Sequence, residues 1–548
     1  MDARRELTPA VTRGGEPSVK WWLIFPVLTR ETTGSLLAAV ITAYVVTLVL
    51  LSPLPLQDFP THLARAVAIS DFMFHHGQRF ESFYQYHFLL VPYVLGDLML
   101  ACAVEVFGPR QASALWISFV LLSLPFAVLF YARATAIAMN RRALLVLLSL
   151  YLATDWSFTM GFLNFRVSVA MILATMALAD MLRTRWRTAL YVTYAGAVLL
   201  DYLMHLSSAA FLCAGLGTSA LLRLHLRTTR LRTEVLLMAP VAAVLLWNFA
   251  VADGYRAPTD LVENPYIWGT VRDKLARLGS EFFRYHWRSD ALLAVAFVAC
   301  LSLQMGRMTR EGLRSPRLLE FLTLAITFLG MYFALPLAYS DAIYVDVRAL
   351  PMATLFAVFA CVRAGEEGST GGTLRMGHAM SVATILALAN LGTLSRDWLR
   401  NNAYVTEYRA MVAAAPWHAR IFPVYTRGHQ GSVEPLLHLD SYITIDRSGL
   451  MPYEFTGDNG NTVRYFRYLH RPYDPDEQWY KQESALQIHW SAIACDYDYL
   501  IVTKPFSPER LPLRMTMIAS NDAAALFTID KQECAPALTS SGVSAVPK

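Results

Sequence analysis

Apolar segments close to 20 residues long are the feature that most constrains the fold of this chain. A helix needs about 20 mostly apolar residues to cross the hydrocarbon core of a bilayer. Charged residues make up only 16% of the sequence, against roughly 25% in soluble domains. The sequence therefore predicts a mainly α-helical polytopic membrane protein with about eleven transmembrane helices, at 35–52, 112–131, 143–158, 167–182, 188–204, 206–222, 235–252, 291–306, 318–338, 349–363 and 377–394.

Clusters of arginine predict the orientation of these spans, because short cytoplasmic loops carry an excess of Lys and Arg. If all clusters are cytoplasmic, an even number of spans must lie between each pair of clusters. This holds only if the weaker apolar segment 88–107 does not cross the membrane. We therefore expect a cytoplasmic N-terminal segment at 1–34, without a cleaved signal peptide, and a C-terminus on the outer face. The clusters are Arg4/Arg5/Arg13/Lys20/Arg30, Arg133/Arg141/Arg142, Arg183/Arg185/Arg187, Arg223/Arg227/Arg230/Arg232, Arg307/Arg310/Arg314/Arg317 and the thinner pair Arg363/Arg375.

The composition becomes polar after about residue 395. We expect 35–394 to form the transmembrane domain, with long outer loops at 53–111 and 253–290, and 395–548 to form a small α/β domain outside the cytoplasm. Its short apolar runs lie at 421–425, 441–446, 498–503 and 526–530, and the pieces "DYDYLIVTKPF" and "AALFTIDKQEC" predict core strands. Cys495 and Cys534 flank these strands, so they form either a disulfide or two buried thiols. The other four cysteines lie in apolar segments and should be free.

The first outer loop contains three chemically useful side chains at helical spacing. Pro60 suits the first turn of a helix that begins near Asp58. On that helix Asp58, His62 and Arg65 share one face, since they recur at spacings of four and three. This face predicts a catalytic carboxylate with substrate-binding neighbours. The alternative is that Asp58 only caps the helix and pairs with His62 or Arg65.

Further polar groups lie at other outer turns, where ionisable residues beside spans default to functional candidates. In "TDWSFTMGFLNFRVS", Asp155 is a second candidate acid and Asn164 and Arg166 are candidate substrate ligands, unless the segment is only a tight turn. His205 is another candidate, although pairing with Asp201 at a helix end is the alternative reading.

The turn "AYSDAIYVDVRALP" adds Asp346 and Arg348 as candidate substrate ligands. Arg348 lies on the outer side, where the positive-inside bias does not place arginine, and its alternative role is to anchor lipid phosphate. No set of Asp, Glu, His and Cys has metal-ligand spacing, and no nucleotide-binding motif is present. We therefore expect no cofactor, although a divalent metal is possible without support from ligand spacing. Because most arginines lie in short runs between apolar stretches, we expect no nucleic-acid partner. Loop 253–290 is rich in aromatic residues, typical of either a substrate lid or an interfacial belt.

The segments "LQDFPTHLARA", "FTMGFLNFRVS" and "VDVRALP", together with the long first outer loop and the terminal outer domain, resemble the GT-C superfamily of membrane glycosyltransferases. The architecture is most similar to the protein O-mannosyltransferases and the lipid A aminoarabinose transferases. The resemblance maps the family's first-loop acid onto Asp58 and its acid after the third span onto Asp155. Many relatives carry two adjacent acids in the first loop, whereas Phe59 follows Asp58 here. That departure weakens a metal-dependent mechanism and leaves a single-base mechanism.

The resemblance implies a transferase in the bacterial inner membrane, with its outer domain in the periplasm. It would move a sugar from a polyprenyl-phosphate donor to a lipid, glycan or protein acceptor, with inversion. A carboxylate would act as the base and arginine would bind the leaving phosphate. A lipid-linked glycan transporter or flippase is one alternative, although the sequence lacks internal repeats. A non-catalytic GT-C-like scaffold in envelope polysaccharide assembly is the other.

Overall fold

The computed structural model describes residues 30–252, 266–305, 315–339, 342–367, 372–424, 432–454, 456, 465–473, 489–504 and 511–534. Most of the predicted cytoplasmic segment 1–34, the first part of the predicted lid and the final residues lie outside these ranges.

The helices are, in chain order, α1 (Arg30–Leu50), α2 (Phe59–Phe74), α3 (Val94–Ala134), α4 (Met139–Ala153), α5 (Trp156–Thr159), α6 (Leu163–Thr184), α7 (Thr188–Met204), α8 (Leu206–His225), α9 (Leu231–Ala252), α10 (Val271–Arg277), α11 (Trp287–Met305), α12 (Pro316–Ala334), α13 (Leu350–Glu367), α14 (Gly372–Ala413), α15 (Ser441–Arg447) and α16 (Trp490–Asp496). Short 3-10 turns lie at Ser280–Phe282, Val347–Ala349 and Lys531–Glu533. The strands are β1 (Tyr84–Tyr86), β2 (Tyr266–Ile267), β3 (Ala338–Tyr339), β4 (Ala342–Ile343), β5 (Ile421–Val424), β6 (Phe466–Tyr468), β7 (Tyr499–Thr503), β8 (Met515–Ser520) and β9 (Ala524–Ile529).

The helices confirm the predicted membrane architecture. Within the described ranges, nine helices are long and apolar enough to cross a membrane. The two remaining predicted spans correspond to α7, with 17 residues, and α4, with 15 residues. All eleven predicted apolar segments are therefore helical.

A sharp break at Gly108 divides α3 into two helices. Gly108 has φ 77° and ψ 163°, a backbone conformation that only glycine adopts without steric cost. The first half, residues 94–107, is about 21 Å long at 1.5 Å per residue, shorter than the ~30 Å hydrocarbon core. This first half packs beside α2, to which the ion pair of Asp97 with Arg65 joins it.

Three of the predicted cytoplasmic arginine clusters meet in one ion-pair network. Arg223 contacts Asp180 (Nη2–Oδ1 2.6 Å) and Glu320 (Nε–Oε1 2.9 Å). Arg317 bonds the same two acids, and Arg183 contacts Asp180 at 3.1 Å. Because these arginines come from α6, α8 and the start of α12, the three loops lie on one side of the helix bundle, as the charge pattern predicts.

The C-terminal region forms a second core around a four-stranded sheet with the order β5-β7-β9-β8. Strands β5 and β7 are parallel and the other pairs are antiparallel, so the predicted core strands at 498–503 and 526–530 are confirmed. The apolar run at 441–446 lies in helix α15. Helix α14 runs continuously from the bundle to Ala413, so the expected boundary near 395 lies inside a helix.

The two cysteines of this region form a disulfide, Cys495–Cys534, with Cα atoms 4.6 Å apart. The alternative of two buried thiols is therefore wrong. The other four cysteines are free, as expected.

The outer loops are tied to this domain and to one another by short sheets. Strand β1 of the first loop pairs with β6 of the C-terminal region. Strand β2, in the described part of the predicted lid, pairs with β3, which pairs with β4. Helix α15 packs against α2. These contacts gather the candidate residues of separate loops in one region.

Candidate functional site

Asp58 is held at the start of α2 by the turn that contains Gly161. The Asp58 amide donates to the carbonyl oxygen of Met160 (2.9 Å), and the Gln57 amide donates to Thr159 (3.2 Å). Gly161 has φ +85°, and a Cβ atom there would lie 2.6 Å from the amide nitrogen of Phe59. The close approach of the two backbones therefore requires glycine at position 161. The segment "TMGF" contains this glycine and packs against "LQDFP", which contains Asp58.

The Asp58 carboxylate does not cap its helix, because its side chain makes no capping hydrogen bond. The side chain is 13% exposed, and its Oδ1 lies 3.6 Å from Nε2 of His438 in the C-terminal region. Burial lowers the pKa of His438 to about 4, so this imidazole is neutral at pH 7. The Asp58 carboxylate retains access to solvent.

Arg65 is fully buried and is bound to Asp97 of α3. Its Nε lies 2.7 Å from Oδ2 and its Nη2 lies 2.9 Å from Oδ1 of Asp97. Tyr465, from the C-terminal region, also donates to Asp97. Nη2 of Arg65 donates to Nδ1 of His62 (2.9 Å), which leaves the proton of a neutral His62 on Nε2. Arg65 therefore links α2 to α3 and, through Asp97, to the outer domain. His62 lies on the same face of α2 as Asp58.

Burial, with Arg65 and His438 nearby, lowers the pKa of His62 well below its usual range. The imidazole is therefore neutral at pH 7. A neutral imidazole with its proton on Nε2 donates a hydrogen bond without adding positive charge.

Asp155 caps α5 and binds Arg166. Asp155 Oδ1 accepts from the Phe158 amide (3.0 Å) and from Ser157 Oγ (2.7 Å), and its Oδ2 lies 2.6 Å from Nη1 of Arg166. Nη2 of Arg166 donates to the carbonyl oxygen of Leu152 (2.8 Å). The Asp155 side chain is only 2% exposed. This geometry favours a positioning role for both residues, since their polar atoms already hold the turn.

Two other candidate residues, Asn164 and Asp346, are buried against neighbouring groups of the protein. Asn164 is buried against Gly96, where a Cβ atom would lie 2.5 Å from Asn164 Oδ1. Asp346 is fully buried, accepts from the Val347 amide (2.9 Å) and lies 3.7 Å from both Lys274 Nζ and Arg277 Nη2. Asp346 therefore neutralises two cations of α10.

His205 is buried and bonded to Tyr93, not to the Asp201 side chain. The Ser207 amide donates to Nδ1 (3.2 Å), so the neutral imidazole carries its proton on Nε2, 2.9 Å from the Tyr93 hydroxyl. Burial, with the charge of Arg348 nearby, lowers the pKa of His205 well below its usual range. The neutral imidazole holds Tyr93 beside the candidate site.

Arg348 faces a protein cavity. Its Cζ lies 5.2 Å from the centre of the Phe162 ring, a cation–π contact. It lines a small polar cavity, with room for about one water molecule, together with Asp155, Trp156, Ser157, Phe162, Glu281, Val347 and Pro351. Asp58 is not among the lining residues. However, the segment that supplies four of them continues into Met160 and Gly161, which contact the Asp58 backbone.

An apolar cavity of about 390 Å³ lies beside this polar one. It runs between α12 and α13 and is lined by Leu318, Leu322, Ile326, Ala353, Ala357 and Cys361, among others. Thr354 lines the apolar cavity and donates to Glu281 Oε2 of the polar cavity (2.8 Å). An apolar channel therefore ends next to a cationic pocket.

Sequence reasoning missed Asp97, Glu281 and His438. Asp97 and Glu281 are carboxylates inside apolar or aromatic segments. Burying a charged group costs free energy, so an acid in such a segment is a signal of function that the sequence offered. His438 has no such local signal. In the part of the chain that the structure describes, no three His, Cys, Asp or Glu side chains converge as a metal site.

Two crystal structures of ArnT from Cupriavidus metallidurans are similar to this chain. The apo structure matches with a TM-score of 0.54 at 13% identity, covering 92% of this chain and 98% of ArnT. The structure bound to undecaprenyl phosphate matches with a TM-score of 0.51 at 11% identity, covering 95% and 100%. The sequence matches no protein-family model and no curated protein. ArnT is a lipid A aminoarabinose transferase of the GT-C superfamily. The expected architecture is thus confirmed at the level of the fold: over nearly its whole length, this chain has a fold similar to that of ArnT.

Proposed function

We propose that this protein is an inverting membrane glycosyltransferase that moves a sugar from a polyprenyl-phosphate donor to an acceptor on the outer face of the bacterial inner membrane. One observation supports this most strongly. The fold is similar to that of ArnT. Within it, the turn 155–161 contacts the backbone of Asp58, whose carboxylate is partly exposed, and also lines the cavity that contains Arg348. An apolar channel adjoins that cavity. In this proposal the N-terminus is cytoplasmic and the C-terminal domain is periplasmic.

Asp58 is the proposed base. Its carboxylate takes the proton from the acceptor hydroxyl as the hydroxyl oxygen attacks the anomeric carbon of the donor. The bond from that carbon to the phosphate oxygen breaks, and its electron pair leaves with polyprenyl phosphate. Attack from the face opposite the phosphate inverts the anomeric centre. His62, on α2, and Tyr93, immediately before α3, are the groups proposed to orient sugar hydroxyls.

Arg348 is the proposed ligand of the donor phosphate. Its planar guanidinium suits a phosphate better than an ammonium group does, since it can donate two parallel hydrogen bonds. The fixed positive charge stabilises the negative charge that develops on the leaving group. The apolar channel between α12 and α13 would hold the first units of the prenyl chain.

The test is turnover by the purified full chain in lipid nanodiscs, supplied with a panel of polyprenyl-phosphate sugars and followed by mass spectrometry. Asp58→Asn preserves the shape of the side chain and removes the base, so turnover should fall by roughly 10² to 10⁴. Glu81→Gln, at an exposed carboxylate of the same loop, is the matched control and should retain wild-type turnover.

Near-normal turnover by Asp58→Asn would remove Asp58 as the base and make Asp155 the next acid to test. Binding of a donor without its consumption by the wild-type chain would instead indicate a transporter or a scaffold.

A further inference from the structure

Exposed apolar side chains cover the loops that join α9 to α11 and α12 to α13, at the end of the bundle that contacts the C-terminal region through Ser432. Trp268 is 59% exposed, and Val271 and Leu275 of α10 are 69% and 57% exposed. Ile343 of β4 is exposed as well. Large exposed apolar patches mark the surfaces by which proteins contact partners or membranes. These loops therefore present a contact surface.

Strands β2 and β4 and helix α10 each present an apolar face. Ile267 of β2 and Ile343 of β4 both pair with Ala338 of β3. Directly paired residues of antiparallel strands place their side chains on the same face of the sheet. The two isoleucines therefore flank the buried Ala338 on one face. On α10, Val271 and Leu275 are four residues apart, so they share one face of the helix.

Hydrogen bonds to α12 fix the depth of α10 in the bundle. The Lys274 ammonium donates to the carbonyl oxygens of Tyr332 (3.0 Å) and Phe333 (3.1 Å), in the last turn of α12. The Tyr332 hydroxyl donates in return to the carbonyl oxygen of Lys274. Helix α12 is long and apolar enough to cross a membrane. Helix α10 therefore lies at the level at which α12 leaves the hydrocarbon core.

The apolar face of α10 is continuous with the surface that the bilayer covers. Leu278 follows α10 and shares a face with Leu275, three residues earlier. Leu278 also lines the apolar channel between α12 and α13, together with Ile326 of α12. Ile326 is exposed on this membrane-crossing helix, where lipid covers it. The same lipid is therefore the natural partner of Val271 and Leu275.

Tryptophan and arginine side chains border this surface. Trp287 is exposed at the first residue of α11, and the Arg288 guanidinium carbon lies 5.5 Å from the centre of its ring. Arg272 of α10 is also exposed. Tryptophan is enriched where a membrane meets water, and basic side chains are attracted to anionic lipids. An apolar surface bordered by guanidinium groups matches a phospholipid headgroup layer in both respects.

We propose that β2 and α10 form an interfacial anchor, which places Trp268, Val271 and Leu275 in the headgroup layer of the adjacent leaflet. Arg272 and Arg288 then lie beside lipid phosphates. The anchor holds the loop on the membrane surface, and the apolar channel opens beside Leu278 at headgroup depth. The inference does not depend on catalysis, because a transporter or a scaffold with this fold would carry the same anchor.

The experiment measures the depth of a nitroxide on the full chain in nanodiscs of phosphatidylcholine and phosphatidylglycerol. Val271→Cys and Leu275→Cys supply the labelling sites, and Met517→Cys, at an exposed apolar residue of β8, is the matched control. The background variant carries alanine at the free cysteines Cys102, Cys213, Cys300 and Cys361. Power saturation compares access to oxygen, which concentrates in lipid, with access to a water-soluble nickel chelate. Unchanged thermal unfolding excludes misfolding of the labelled variants.

Nitroxides at positions 271 and 275 should be accessible to oxygen and should lose most of the nickel accessibility that position 517 shows. Equal nickel accessibility at all three positions would mean that the loop projects into water, and it overturns the proposal. Shielding of 271 and 275 from both reagents, with spin–spin broadening, would indicate a second copy of this chain on the surface and overturns it as well.

A second comparison tests the two arginines. Adding phosphatidylglycerol to phosphatidylcholine nanodiscs should lower the nickel accessibility of position 275, because the anionic headgroups attract Arg272 and Arg288. The Arg272→Gln/Arg288→Gln variant should lose this response. A response that persists in the double variant overturns the contact of these arginines with lipid phosphates.

Discussion

The ion pair between Arg65 and Asp97 yields the sharpest prediction about stability. The Arg65 side chain is 0% exposed and the Asp97 side chain is 2% exposed. Asp97→Asn preserves the volume of the side chain but removes the negative charge that binds the buried Arg65 guanidinium through two hydrogen bonds. Removing one partner of a buried ion pair costs about 3–5 kcal/mol. The variant should therefore be strongly destabilised.

The control is the same substitution in an exposed pair. Lys531 Nζ lies 3.0 Å from Asp498 Oδ1, and both side chains are nearly half exposed. Pairs of this kind contribute about 0–1 kcal/mol, so Asp498→Asn should change stability little. Unfolding of the purified protein in a denaturant titration, followed by tryptophan fluorescence, gives the free energy of unfolding for both variants.

A double variant tests whether the cost comes from the orphaned charge. Arg65→Met combined with Asp97→Leu removes both charges, and replacing a buried pair with apolar groups is often neutral. The double variant should therefore be more stable than Asp97→Asn alone. The reasoning is refuted if Asp97→Asn costs no more than Asp498→Asn, or if the double variant is the least stable of the three.

Three further predictions concern the site and the outer domain. Gly161→Ala should lower both stability and turnover, because its Cβ would lie 2.6–2.8 Å from the Asp58 and Phe59 amide nitrogens at a φ of +85°; unfolding and turnover measurements check this, and wild-type values for both would contradict the close approach. Arg348→Lys should lose most turnover, since the charge remains and the bidentate geometry is lost; retained turnover would remove Arg348 from phosphate binding. Loss of the disulfide in a Cys495→Ala/Cys534→Ala variant should destabilise the outer domain by roughly 2–4 kcal/mol, measured by unfolding without reductant, and an unchanged midpoint would contradict this.

The sequence by itself determined the membrane architecture of this protein. Lipid supplies no hydrogen bonds to the backbone, so every span must be a helix of nearly fixed length. The eleven apolar segments therefore predicted helices that the structure contains, and arginines of three predicted cytoplasmic clusters meet on one side of the bundle. The strands at 498–503 and 526–530 were predicted for a related reason, since short apolar runs between turn residues form buried strands.

Only the tertiary structure decided which charged groups pair. Spacing along α2 placed Arg65 on the same face as Asp58, yet Arg65 binds Asp97, 32 residues away in sequence. Glu281 gave no recognisable motif, and it lines one small cavity with Asp155 and Arg348, which come from distant segments. Helical periodicity specifies the face that a side chain occupies. The choice of partner depends on which buried charges the packed helices bring within about 3 Å of one another, and no local pattern encodes that distance.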